Sequence, residues 1–129
     1  MIKKLYVTVV TLLTAMVLAG NADAHHAASA YNHDTPITVG GTVKEFRWSN
    51  PHTWISVEVP LGNGEVQEWN LEGTSVNTLV RAGWTKQTLQ PGMIIKLLVS
   101  PRRDGAPGGE WNKVISINGE PFTPPVAEQ

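Results

Sequence analysis

No cysteine occurs in the 129 residues. That excludes disulfides, thiolate metal sites and a lipid-modified cysteine anchor. Charge is sparse as well: Lys and Arg total 10, Asp and Glu total 11, and neither sign forms runs. A phosphate-tracking nucleic-acid binder normally gathers its basic residues on one face, so no nucleic-acid partner is expected. Only one long apolar run is present, at residues 6–18. A nucleophile elbow, a P-loop, a dinucleotide fingerprint and a zinc motif are all missing. The common enzyme signatures therefore give no catalytic residues.

The apolar run has the setting of an export signal. Lys3 and Lys4 precede it, and Ala22-Asp23-Ala24 follows with small residues at the two positions that a signal peptidase reads. At about 13 residues it is too short to cross ~30 Å of hydrocarbon as a helix. An uncleaved anchor competes with this view, but no basic stop-transfer cluster follows the run. A second A-x-A, at Ala28-Ser29-Ala30, would leave a long polar segment containing two histidines ahead of the cut. Cleavage after Ala24 is preferred. Residues 1–24 are then the signal peptide, and no stable membrane insertion is expected once it is removed. The location is periplasmic, and the mature chain is slightly negative. Its length of about 105 residues suits one domain with one core. Without disulfides, that core alone must hold the fold.

Residues 25–36 are small and polar, without a period, and read as an extended arm. Residues 37–48 read as a long strand whose apolar phase slips: Ile37, Val39 and Val43 share one face, Phe46 and Trp48 the other. Gly40-Gly41 lies between them and permits a bend or bulge. Ser49-Asn50-Pro51-His52 makes a turn. Residues 54–59 alternate, and Pro60-Leu61-Gly62-Asn63-Gly64 suggests an Asn-Gly hairpin into a return strand over 65–71. Ser75 is a good N-cap for a short helix to Ala82, with Gly83 following it. After Pro91-Gly92, residues 93–100 suit a central strand. Arg102 to Gly109 is a Gly/Pro loop, and 111–117 is the last strand, with Lys113, Ile115 and Ile117 on one side. Residues 37–122 form the barrel domain, and 123–129 a Pro-rich, disordered tail. The expected core includes Ile55, Val57, Trp69, Ile95, Leu97, Val99 and Ile115.

Three strands, a helix and two strands, with a long bent first strand, is the order of a small, mainly β, five-stranded partly open Greek-key barrel. This is the OB-fold, with its helix between strands three and four. A plain β-sandwich or another small barrel fits the same pattern.

Several segments follow one further pattern. They are His25-His26; Gly41-Thr42-Val43-x-Glu45-Phe46-x-Trp48-x-Asn50-Pro51-His52-x-Trp54-Ile55; Trp69-x-Leu71-Glu72; Arg81-x-Gly83-Trp84; Leu89-x-Pro91-Gly92; and Pro101-x-x-Asp104-Gly105 with Gly108-Gly109. The chain resembles the exported bacterial family filed as domain of unknown function number 6152, over nearly the whole mature length. Val76 after Ser75, where a proline is expected, and Met93 after Pro91-Gly92, where an acid is expected, depart from that pattern. The resemblance implies a small periplasmic domain and brings no established activity.

All four histidines, His25, His26, His33 and His52, fall early in the mature chain. Cleavage after Ala24 gives His25 a free α-amine. That amine and the His25 ring Nδ1 can chelate a metal, and a second imidazole in trans completes a T-shaped N₃ set suited to Cu(II), which leads the affinity order for nitrogen ligands. His52, beside Pro51 in a loop at a barrel end, is the best trans candidate. A local chelate using His26 is the other mode. Against both stands a plain N-terminus that carries two histidines by chance, with His52 fixing a turn. His33-Asp34 is read as a polar pair in the arm, with a second-shell role as its alternative. Arg102-Arg103-Asp104-Gly105 could hold an anion on its N–H groups, but a solvated hairpin loop is preferred. Glu45, Glu58, Glu68 and Glu72 fall mostly on exposed strand faces, so no acid/base pair is assigned.

The expected function is a non-enzymatic periplasmic binding protein taking Cu(II) through its N-terminal histidine. The alternative is an OB-type module that binds a peptide, a glycan or a partner protein without metal. A copper enzyme is a third class, with nothing in the sequence beyond the site itself. Intact mass of protein taken from the periplasm should begin at His25. A start at Tyr31 would remove the histidine site, and retention of Met1 would mean a membrane anchor.

Overall fold

The computed structural model describes residues 30–125. His25 and His26 lie outside the described residues, as does the end of the tail. Among the described residues six strands and one helix follow in chain order: β1 (Ile37–Arg47), β2 (Trp54–Pro60), β3 (Val66–Glu72), α1 (Val76–Arg81), β4 (Ile94–Pro101), β5 (Gly108–Ile117) and a short β6 (Glu120–Pro121). The sheet order is β3-β2-β1-β4-β5-β6, and a β3–β5 pairing closes the first five strands into a barrel. The OB-like order with its helix after the third strand is present, with β6 added at one edge.

Closure is parallel: Asn70, Leu71 and Glu72 sit beside Gly108, Gly109 and Glu110. The two glycines make it possible. A Cβ on Gly109 would overlap the Ser100 carbonyl, and one on Gly108 would lie 2.9 Å from the Asn70 carbonyl. Gly41 has a like role at the other wall. Its Cβ would strike the Glu58 carbonyl where β1 turns from β4 toward β2.

The phase slip in β1 is real, but it lies at Lys44 rather than at Gly40-Gly41. Val43 pairs with Val57 and Glu45 with Ser56, leaving Lys44 as the extra residue of a bulge. Phe46 thereby returns to the core side opposite Ile55, and both Phe46 and Trp48 pack on the core. Lys44 projects outward to Glu68, with Nζ 2.5 Å from Oε2.

β5 departs further from simple alternation. Its pairing with β4 steps over Asn112 and again over Ile115, so the alternation breaks twice. Trp111, Val114 and Ile117 face in, while Lys113 and Ile115 face out. Ile115, expected in the core, is 37% exposed. Trp69 is half-buried at the core's edge, whereas Ile55, Val57, Ile95, Leu97 and Val99 are fully buried as expected. The β2–β3 loop also differs from a two-residue Asn-Gly turn: it spans five residues, with positive φ at Gly62 and Gly64.

The helix adds Leu79 to the buried core. Ser75 caps it through its Oγ, which accepts from Thr78 N–H at 3.3 Å. Gly83, at φ 82°, turns the chain out. Leu79, Trp84 and Leu89 are thereby buried under the barrel. Trp84 meets Trp111, Phe122 and Phe46 with ring centroids 5.5, 5.1 and 6.3 Å away, spacings typical of offset and edge-on aromatic pairs.

Leu97→Ala should lower stability by about 2–5 kcal/mol, the usual cost of a large-to-small change in a packed core. Ile115→Ala should stay within about 0.5 kcal/mol, as for a surface site. Equal losses in denaturant titrations would contradict the double bulge in β5.

Candidate functional site

The β1–β2 loop carries His52, and the sheet fixes its position. Thr53 N–H donates to the Thr74 carbonyl at 3.0 Å, and Gly73 N–H donates to the Thr53 carbonyl at 2.8 Å. These bonds carry the β2–β3 ladder one step past the Trp54–Glu72 pair. Gly73 is needed here because a Cβ would overlap the Trp111 indole N–H and crowd Thr53. That indole nitrogen is buried and has no hydrogen-bond acceptor. From the other side, Asn50 Oδ1 accepts from Val76 N–H at 3.1 Å, tying the loop to the start of α1. Ser49 Oγ donates to the His52 carbonyl at 3.2 Å. His52 is thus held at both flanks.

Glu72 ends β3 on the outward row shared with Trp54 of β2 and Glu110 of β5. An outward carboxylate would ordinarily be solvated, yet this side chain is only 14% exposed. The cover is the arm. Tyr31 bridges Arg102, Asn32 N–H donates to the Pro101 carbonyl at 2.8 Å, and Arg103 Nε donates to the Tyr31 carbonyl at 3.0 Å. These bonds lay residues 31–33 over the β4–β5 end, where the buried Ser100 hydroxyl meets His33 Nδ1 at 3.2 Å and accepts from Asn112 Nδ2 at 2.9 Å.

Glu72 joins the two parts. Its Oε2 accepts the Tyr31 phenol hydrogen, and its Oε1 pairs with His52 Nδ1. A carboxylate can only accept, so Nδ1 carries a hydrogen, and the neutral ring keeps its lone pair on Nε2. The His52 side chain is 47% exposed. A histidine whose second nitrogen is oriented by a carboxylate is the usual preparation of a metal-binding imidazole. Burial pushes the Tyr31 phenol well above its ordinary value. The bond to Glu72 and that carboxylate's charge push the same way, Glu110 adds to them, and Arg102 opposes.

Of the residues singled out from sequence, His52 is placed here, while His25 and His26 fall outside the described residues. The His52 ring bonds outside its own turn, to Glu72 in β3, while its carbonyl accepts from Ser49 within the turn. His33 bonds Ser100, and Asp34 stays in the exposed part of the arm. The Arg102–Asp104 loop satisfies itself: Arg102 Nε and Nη2 lie 3.0 and 2.6 Å from the two Asp104 oxygens. With these bonds and the Ala106 N–H, Asp104 is pulled down to about 2. Glu72 and Tyr31 were missed. Alternation put Glu72 outside, which is right for the strand, but strand period does not register a segment laid over it. Among the described residues no three of His, Cys, Asp or Glu gather as a metal site.

The fold and this cluster define a small OB-like barrel whose closing seam is covered by its own N-terminal arm. The matching family model is described as Family of unknown function (DUF6152). It spans residues 13–111, and the chain belongs to that family. No curated protein and no solved structure matches the chain.

Tyr31 and Tyr6 are the two tyrosines, so a chain cleaved after Ala24 has one. Its absorbance titration should show ionisation well above the ordinary value near 10. Glu72→Gln should bring it part of the way back, because burial remains. The unfolded chain gives up this proton first, so stability should fall as pH rises past ~10. Ordinary ionisation of Tyr31 in the folded wild type would contradict the bond to Glu72.

Proposed function

We propose that the chain is a non-enzymatic periplasmic binding protein that takes Cu(II) at His52 together with its mature N-terminal residue, His25. The observation that carries this reading is the Glu72 carboxylate, which orients His52 with Nε2 outward and takes the arm's Tyr31 on its other oxygen. His25 stands six positions before Tyr31. Six extended residues have a reach of about 20 Å.

The ligand set would be the His25 amine, the His25 ring and the His52 ring. Three nitrogens in a T-shaped array suit Cu(II), and copper exceeds zinc in the affinity order for such donors. Zinc prefers a closed tetrahedral shell and should bind more weakly. Each donor must lose or lack its proton to bind, so protons compete with copper and affinity falls as pH falls. His26 supports a local mode through its own amide and ring.

The metal-free alternative would use the β2–β3 face and its flanking loops, where OB-folds hold linear polymers. Here that face carries Glu68 opposite Glu58, with Glu45 nearby. Lys44 pairs with Glu68 and Arg47 approaches Glu45 there, so no excess of basic charge is left for a phosphate backbone, and a peptide, a glycan or a partner protein remains as its ligand.

The test is a competition titration of the cleaved protein against a chelator of known affinity, with electron paramagnetic resonance of the Cu(II) form. One residue added before His25 keeps every side chain and displaces the amine. That chain should lose most of its affinity, and His52→Ala should lose at least about tenfold, the scale on which even outer-shell partners act. Equal affinity with and without the extension would defeat the amine-anchored site. Loss on extension with no effect of His52→Ala would select the local His25-His26 chelate.

A further inference from the structure

The outer wall of the barrel has two halves of opposite character, with β1 between them. On β4 and β5 the outward residues include Ile94, Lys96, Leu98, Lys113 and Ile115. Ile94 is 61% exposed, the most of any large apolar side chain among the described residues. Residues 94–98 and 113–117 contain no acid. On β2 and β3 the outward rows are Glu58 opposite Glu68 and Pro60 opposite Val66, with Val66 57% exposed. Thr42 of β1 pairs with Ile94 on one side and with Glu58 on the other. With strands ~4.8 Å apart, the two halves begin about 10 Å from each other.

The charges on this wall are not settled within the chain. Lys44 goes to Glu68, which leaves Glu58 directly opposite another carboxylate. Like charges in that position destabilise a sheet. Across β1, the Lys96 stem lies over Gly40, where an added Cβ would sit 3.6 Å from Lys96 Cγ. Lys96, Lys113 and Glu58 form no ion pair among the described residues. Isoleucines exposed singly are ordinary on a surface. Here they surround two unanswered cations, and an unanswered carboxylate stands one strand away.

The strand between the halves is low. Its outward residues in this stretch are Thr38, Gly40 and Thr42, none with a long side chain. A two-fold axis laid along β1 would bring two copies close and set β4–β5 of each over β2–β3 of the other. That operation puts Lys96 over the second copy's Pro60 and Glu58, and Ile115 over its Val66. In such an isologous pair each contact occurs twice. Stacking β4–β5 on β4–β5 would instead set lysine against lysine.

We infer that the outer wall centred on β1 is a self-complementary surface through which two copies of this chain form a dimer. Lys96 of each copy pairs with Glu58 of the other, and Ile94 and Ile115 lose water to Pro60 and Val66. The inference is independent of the copper reading, since neither His52 nor any residue before Tyr31 takes part.

The test is sedimentation of the purified chain over a concentration series. Wild type should pass from monomer to dimer as concentration rises, and salt should favour the monomer because the pairs lie near solvent. Lys96→Glu and Glu58→Lys each set like charges together at both contacts, so each alone should stay monomeric. Mixed in equal amounts they should dimerise, because every contact of the mixed pair has one charge of each sign. A role confined within one chain gives no such rescue. Lys96→Ala and Glu58→Gln are milder and should each weaken the dimer, which covers a failure of either reversed variant to fold. A wild type that stays monomeric up to about 1 mM would overturn the inference. So would a dimer indifferent to all four changes, or reversed variants that fold but do not rescue each other. A monomer that pellets with phosphatidylglycerol vesicles, and stops doing so in Lys96→Glu, would also overturn it and assign the basic half to a membrane surface.

Discussion

Closure of the barrel turns on backbone packed against backbone. β5 must come beside β3 while still pairing with β4, and side chains at Gly108 and Gly109 would block that approach. Once the seam forms, Glu72 lies next to Glu110 on the outer wall, and Trp111 enters the core against Gly73. The arm then has a surface to lie on. Its backbone bonds the β4 end and the following loop, and Tyr31 becomes buried over the seam. The β2–β3 ladder sets His52 beside Glu72, and closure brings the arm to that same carboxylate. No single strand or loop builds the cluster, and a barrel left open at β3–β5 would not bring Tyr31, Glu72 and His52 together.

A carboxylate on such a seam answers two demands at once. It lies in a place of low exposure beside a second carboxylate, where an unpartnered charge would be costly. Two hydrogen-bond donors, one on each oxygen, meet that cost. Because the donors belong to different parts of the chain, the bonds that satisfy Glu72 also tie those parts to each other. His52 gains an oriented ring, and the arm gains a fixed origin.

The parts of this structure that follow local rules were legible in the sequence. Period-two apolar residues marked β2 and β4, Ser75 and Gly83 marked the ends of the helix, and the element order indicated the barrel. What escaped was set by pairing between strands. Lys44, Asn112 and Ile115 are bulge residues, and a bulge is defined by its partner strand, so nothing in the residues of β5 alone puts Ile115 outside. His52 was legible as a candidate through its place beside Pro51 in a loop. Its partner was not, because Glu72 obeys the outward alternation of β3 and is covered only by a segment forty-one positions earlier. A tyrosine in an otherwise small, polar arm was the available signal: a lone large aromatic in such a segment calls for a surface to pack on.

The cluster depends on the proton between His52 and Glu72. Nitrogen-detected NMR of the metal-free, cleaved protein, with its histidine rings labelled, reports which ring nitrogen holds it. In the neutral His52 ring the hydrogen is predicted on Nδ1, with a bare Nε2. A hydrogen on Nε2, or the fast-exchanging mixture of a free imidazole, would contradict the pairing on which the site depends.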